Sequence, residues 1–238
     1  MKNSGGEIMV VNIEGELIDA IFVKRINRFV AEIEINGNIY LSHVPNTGRM
    51  KELLTKGAKI IVRKVDNSLR KTNYDLLMVY HKGFLVSIDS KLPNKLLYNA
   101  FINKDLKNFK EYHEVNKEVN YKNSRIDIAL KGRINSLVEA KCVTLVDNGV
   151  AKFPDAPTER GTRHVLELID SIKENFRAYI IFIVQREDAD SFTPNKEIDK
   201  EFYNALVKAR DTGVEIKAIK CKVSKNKIVL DKEIEVIL

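Results

Sequence analysis

Arg125-Ile126-Asp127-Ile128-Ala129-Leu130-Lys131, a break at Gly132-Arg133-Ile134-Asn135, then Ser136-Leu137-Val138-Glu139-Ala140-Lys141-Cys142-Val143 is the stretch on which the reading of this chain turns. Apolar side chains alternate with polar ones around Asp127 and Glu139, the period of two expected of paired strands. Gly132 and Arg133 stand where a hairpin connection belongs. On the second strand Glu139 and Lys141 are two positions apart and share one side, while Val138, Ala140 and Cys142 take the other. Asp127, between Ile126 and Ile128, is placed to meet them from the neighbouring strand. Two carboxylates and an amine converge.

Such a trio suits phosphodiester hydrolysis. Hard divalent cations prefer oxygen donors and keep several waters. A bound ion polarises the phosphate and lowers the pKa of its water, and an adjacent ammonium orients the nucleophile or offsets developing charge. Asp127 and Glu139 are therefore the candidate ligands for Mg2+ or Mn2+, and with Lys141 the candidate catalytic residues. An E-x-K triplet also occurs on ordinary exposed strand faces, so the surrounding elements have to decide.

Working outward, residues 1–90 read as short strands with abrupt turns: Leu17 to Lys24, Arg28 to Ile35, an Asn36-Gly37 turn, Asn38 to Ser42, then Ala58 to Val65, Tyr74 to Tyr80 and Phe84 to Ile88. A short helix is expected over Arg49 to Leu54, stopped by Gly57. Strands on both sides of one short helix match a small barrel of the OB type, with an SH3-like barrel as the alternative. Residues 91–238 form the second domain. Pro93 and Asn94 start a helix with Leu96, Leu97, Ala100 and Phe101 on one face. Strands follow at Tyr112 to Tyr121, Arg125 to Lys131 and Ser136 to Val146, then a helix from Thr158 to Glu174. The apolar run Ala178 to Val184 reads as a strand covered on both faces. A helix over Asp199 to Arg210 and strands at Val214 to Lys222 and Ile228 to Leu230 close the chain. The fold class is mixed, α+β with an α/β core.

The 238 residues carry 40 Lys+Arg against 33 Asp+Glu, a net +7 and pI near 9.2. The excess is spread, 13 against 10 in residues 1–90 and 27 against 23 beyond, so any attraction for a polyanion comes from folded surface rather than a basic tail. No apolar run reaches a membrane span, and the first residues lack the apolar core of a secretory signal. Cys142 and Cys221 make neither a metal spacing nor a disulfide framework. A cytoplasmic, reducing setting is expected, with DNA as partner, no membrane association, and the oligomeric state open, a homodimer included.

For phosphate contact the candidates are Arg25, Arg28, Arg49, Arg63 and Lys64 on the barrel, and Arg160. Phe153 to Gly161 reads either as a loop beside the cleft, with Asp155 and Glu159 as outer carboxylates, or as the start of a helix that Thr158 caps, the reading preferred here. His164 and Glu167 share a polar helix face that either approaches the Asp127 and Glu139 site or is solvated, the second being the reading preferred here. Gln185 and Arg186 stand at a strand end, where ligands often gather in α/β sheets but ordinary polar termini are as common.

The order helix, three strands, helix, strand, with Asp on the second strand and E-x-K on the third, resembles the core of the PD-(D/E)xK nuclease superfamily, Ile126 standing where proline is often found. More specifically, the chain resembles the sugar fermentation stimulation protein A family through His43-Val44-Pro45-Asn46-Thr47-Gly48-Arg49-Met50, Ser124-Arg125-Ile126-Asp127, Val138-Glu139-Ala140-Lys141 and Phe153-Pro154-Asp155-Ala156-Pro157-Thr158-Glu159-Arg160-Gly161. The resemblance implies an OB-like domain joined to a nuclease-like αβββαβ domain, sequence-nonspecific DNA binding and a regulatory role in maltose or other sugar metabolism. It places the superfamily's metal carboxylates on Asp127 and Glu139 and its lysine on Lys141. Many superfamily nucleases add an acid from the first core helix, and Lys95 to Ile102 holds none. Three functions stay open: a Mg2+-dependent DNA nuclease, a non-catalytic DNA-binding regulator and an RNA-processing enzyme.

Overall fold

A computed structural model of the protein describes residues 10–67 and 69–238. The first nine residues, part of the expected domain 1–90 and of the reading that no secretory signal is present, lie outside the described residues.

The strand β1 (Val10–Asn12) pairs with the last strand of the chain, in the larger of two sheets. The barrel begins with β2 (Leu17–Asn27), β3 (Val30–Ile35) and β4 (Asn38–His43), and continues with β5 (Lys59–Lys64), β6 (Tyr74–His81) and β7 (Phe84–Ser87). β2 lies between β3 and β5, β4 follows β3, and β6 follows β5. Ser42 opposite Tyr74 and His43 opposite Asp75 join β4 to β6 in parallel and close a ring of five strands, the OB arrangement. The inward row Ala31, Ile33 and Ile35 of β3 meets Phe22, Ile60, Val62, Leu76 and Val79 in the barrel core. Asn36 and Gly37, both at positive φ, make the tight turn that the dipeptide demands.

The helix expected over Arg49 to Leu54 does not form. The N–H groups of Leu53 and Leu54 both return to the Met50 carbonyl, which amounts to one turn. Met50 itself has φ +46°, and a segment this short cannot offset the cost of nucleating a helix. Its task is to bury Met50 and Leu53 as a plug in the barrel.

The second unit runs α1 (Leu92–Ile102), β8 (Glu114–Tyr121), β9 (Ser124–Lys131), β10 (Ser136–Val143), β11 (Leu145–Asp147), β12 (Val150–Phe153), α2 (Glu159–Lys173), β13 (Arg177–Val184), β14 (Ser191–Pro194), α3 (Lys200–Thr212), β15 (Glu215–Val223) and β16 (Lys227–Val236). The sheet order is β8-β9-β10-β13-β15-β16-β14-β12-β11. β10, β13 and β15 are parallel and joined by α2 and α3, which pack together on one face, while α1 covers the other. Two expected strand boundaries shift. The strand expected over Ser136 to Val146 breaks at Thr144, and Leu145–Asp147 turns back on β12 through Asn148 and Gly149, again both at positive φ. The final strand runs well beyond Ile228 to Leu230 because β15, β1 and β14 all pair with it.

The two units share a core. Ile61, Leu77 and Met78 of the barrel pack in one cluster with Leu92, Leu96 and Leu97 of α1 and with Val138, Ile181 and Ile219 of the sheet. The Ser87 N–H donates to the Gln185 carbonyl at 3.0 Å across the same junction. Because that apolar surface is buried only when both units are folded, Met78→Ala is expected to lower stability by about 2–5 kcal/mol in one transition. Chemical denaturation followed by probes in each unit checks this, and separated transitions would refute the shared core.

Candidate metal and nucleic-acid site

The hairpin of β9 and β10 forms as the spacing predicts, with Ile128 opposite Val138 as its last paired residues. Beyond that pair the strands part, and the Ala140 N–H donates instead to the Asp127 carboxylate, Oδ2 at 2.9 Å. The side chain thus takes a place that a strand carbonyl would otherwise fill, which fixes the rotation of Asp127. Its other oxygen, Oδ1, accepts from Asn94 Nδ2 of α1 at 2.6 Å. The first helix therefore supplies an amide to Asp127, where an acid is common in the superfamily.

Glu139 and Lys141 share the α2 side of β10, as alternation requires. The Lys141 ammonium donates to Glu139 Oε1 at 2.5 Å, and His164 of α2 meets the same oxygen through Nδ1 at 2.6 Å. Arg160 Nε, one turn earlier on α2, donates to His164 Nε2 at 3.4 Å, which leaves the imidazole proton on Nδ1, facing Glu139. With Oε1 doubly engaged, Oε2 of Glu139 is buried and has no hydrogen-bond partner among the described residues. A bare buried carboxylate oxygen is costly unless something else binds it.

The expectation that His164 and Glu167 lie on a solvated face is corrected: both are buried, His164 to 2% exposure. The missed signal was steric. Gly161 stands three residues before His164, where a Cβ would meet Thr158 at 2.8 Å and Phe202 of α3 at 3.3 Å, so a small residue on that row marks a packed face rather than a solvated one.

Asp127, Glu139 and Lys141 line a cleft of about 860 Å3 between the barrel and the sheet, together with Asn94, Arg28 and Arg160. Burial, and then the charge of Glu139, push the Asp127 carboxyl above its ordinary value. Burial works in the same sense on Glu139, but the Lys141 ammonium and the His164 hydrogen bond outweigh it and hold that carboxyl below the usual range. Among the described residues no group of three His, Cys, Asp or Glu side chains gathers to hold a metal. The donor set is two carboxylates, one with an unpartnered oxygen, which fits a hydrated divalent ion better than a fully caged one.

Of the six cationic residues expected at DNA, the fold brings Arg28 and Arg160 to this cleft. Arg25 is a correction. Its five N–H groups reach the carbonyls of Asn27, Gly48, Arg49, Arg28 and Asn46, so none remains for phosphate. It holds the loop 46–49 in shape. Asp155 receives the Met50 N–H at 3.0 Å and leaves no room for a Cβ at Gly48, so it joins the loop to the second unit. Arg49 is exposed outside the cleft, Arg63 pairs with Asp75 in a separate cavity, and Lys64 pairs loosely with Glu16. Thr158 Oγ1 accepts the Gly161 N–H at 3.0 Å, the capping use expected of it. Gln185 and Arg186 are fully buried. Gln185 Nε2 donates to the Asp89 carbonyl and to Cys142 Sγ, and Arg186 clasps Asp188, so both serve the junction behind the cleft. Burial pushes the Cys142 thiol up to about 12.

An OB barrel is thus fused through a common core to an αβββαβ sheet that carries Asp127, Glu139 and Lys141, a PD-(D/E)xK nuclease-like fold with an N-terminal OB domain. The family profile described as "Sugar fermentation stimulation protein RE domain" matches residues 91–227, and the "SfsA N-terminal OB domain" matches residues 23–88. The chain belongs to the sugar fermentation stimulation protein family. It is 56% identical over 231 residues to the homolog of Alkaliphilus metalliredigens, covering 96% of this chain and 100% of that one. It is 47% identical over 233 residues to the homolog of Acetivibrio thermocellus, with coverages of 96% and 100%. Among solved structures, SfsA of Pyrococcus furiosus in complex with Ca2+ superposes with a TM-score of 0.88 at 28% identity, over 96% of this chain and 98% of that one. No helix among the described residues is long and apolar enough to cross a membrane.

The two carboxyls respond to pH in opposite directions. Asp127, raised, binds its proton more tightly in the fold, so it favours the folded state at acid pH and that share is lost as pH climbs through its folded value. Glu139, lowered, supports the fold above the unfolded carboxylate range, and its share is lost as pH falls through its folded value. In metal-free buffer at pH 7, Asp127→Asn is expected to stabilise the protein by on the order of 1 kcal/mol and Glu139→Gln to destabilise it. Thermal unfolding of both variants between pH 4 and pH 8 checks the signs.

Proposed function

We propose that this protein binds DNA without sequence preference in the cleft and hydrolyses a phosphodiester there, with Mg2+ or Mn2+ held by Asp127 and Glu139. The observation that carries the reading is the buried, unpartnered Oε2 of Glu139 beside a second carboxylate whose own orientation is fixed by Ala140 and Asn94. When bound, the ion would polarise the phosphate and acidify a water. His164 and Lys141 hold Glu139 by one oxygen and leave the other without a hydrogen bond among the described residues, the oxygen that would bind the ion. The Lys141 ammonium orients the attacking water and offsets charge on the phosphorane. Arg28 and Arg160 line the cleft and take the phosphates on either side. Such contacts read backbone rather than base edges, which is the basis for expecting no sequence preference. The Ca2+ in the related archaeal protein supports a divalent-ion site here.

One observation favours a second reading, a DNA-binding regulator of maltose or other sugar metabolism that keeps the nuclease fold without turnover. Asn94 stands at Asp127 where a third acid would strengthen ion binding. A cleavage assay separates the two. The nuclease reading expects Mg2+- or Mn2+-dependent cutting of DNA that EDTA abolishes and that Asp127→Ala or Lys141→Met lowers by about two to three orders of magnitude. Binding without any cutting leaves the regulator. Under both, the logarithm of the affinity falls linearly with the logarithm of salt concentration.

A further inference from the structure

Beside the cleft, the barrel carries a second cavity of about 370 Å3 whose wall includes Arg63, Arg70, Lys71 and Lys91 against two carboxylates, Asp75 and Asp89. Asp75 is buried and fully engaged: Oδ2 accepts from Arg63 Nη2 at 2.8 Å and Oδ1 from Arg70 Nη2 at 2.6 Å. One carboxylate thereby holds two guanidinium groups in place, so less side-chain entropy is lost when an anion arrives. Nε and Nη1 of both arginines make no hydrogen bond among the described residues. Asp89 accepts the Lys91 backbone N–H at 2.9 Å. Arg70 and Lys71 come from the loop between β5 and β6, while Lys91 caps α1 and lines the main cleft as well. The same ammonium thus borders both cavities.

We propose that this cavity is a second phosphate subsite, which takes a backbone phosphate of the strand whose scissile phosphate lies at Asp127 and Glu139, with Lys91 between the two. The inference rests on the nucleic-acid reading above and adds a length requirement: only a strand long enough to span both cavities gains from the barrel. Two free-phosphate sources compete with a strand, inorganic phosphate and a mononucleotide, because each presents the same chemistry.

The test is the double substitution Arg70→Gln with Lys71→Gln. Arg63 stays on Asp75, and Lys71 is exposed and unpaired among the described residues; circular dichroism and thermal unfolding verify that the fold survives the loss of Arg70 from Asp75. Binding is measured by fluorescence anisotropy over a salt series for a dinucleotide and for a strand of about twelve nucleotides. The longer strand is expected to lose about tenfold in affinity with a salt slope shallower by about 1 to 2, and the dinucleotide to be unchanged. Equal losses for both lengths, or none, overturn the subsite. A calorimetric titration with inorganic phosphate and with a mononucleotide completes the experiment. If the unsubstituted protein holds no oligonucleotide, the nucleic-acid reading has failed. If it then binds either small anion and the double variant does not, the cavity serves a free phosphorylated molecule and the strand assignment falls with that reading. If it holds the longer strand and the substitutions change nothing, the subsite alone has failed.

Discussion

Glu139 Oε1 accepts two donors at once, the Lys141 ammonium from its own strand and the His164 imidazole from α2, and the geometry of the cleft follows from that double contact. A carboxylate this deeply buried is costly to charge unless it is paired. Two donors on one oxygen meet that cost and leave Oε2 bare. The pairing that stabilises Glu139 and the bare oxygen of the proposed ion site therefore come from the same asymmetry. Arg160 extends it to the cleft wall, because the residue that lines the cleft also donates to the far nitrogen of His164.

The second constraint is the union of barrel and sheet. A cleft between two loosely linked domains would change shape as they moved, whereas here one apolar cluster runs through both. Polar contacts complete the seam. Arg25 holds the loop 46–49 by its carbonyls, Asp155 takes the Met50 N–H, and Gln185 links β13 to the end of the barrel. Gly48 fits only because it has no side chain, its missing Cβ lying 2.7 Å from Asp155 Oδ2. The wall bearing Arg28 is thus held in register with the floor bearing Asp127.

Much of the fold was legible locally. The period-two run located β9 to within one residue and the start of β10, the continuous apolar run located β13 to within one residue, Asn36-Gly37 marked a hairpin turn, and Thr158 marked a helix start. The short strands β12 and β14 are not legible in the sequence because four residues carry too little alternation to register, with one buried position in β12 and two in β14. The turn at Met50 was taken for a helix because plugging a barrel and forming a short helix ask for the same spacing of apolar residues.

The site divides along a similar line. Asp127, Glu139 and Lys141 could be named from the chain alone, because strand geometry translates a spacing of two into a shared face and a hairpin sets the partner strand. Arg25 and Arg160 look alike in the sequence, two arginines that are both candidates for phosphate contact. Only the folded chain decided that one spends every N–H on carbonyls while the other borders the cleft. The same holds for His164, which an amphipathic pattern assigns to solvent and tertiary packing brings to Glu139. Local periodicity determines which way a side chain leaves its own element, but the element that arrives opposite is set by long-range packing, and the partner of a polar group decides whether it binds, catalyses or holds the fold together.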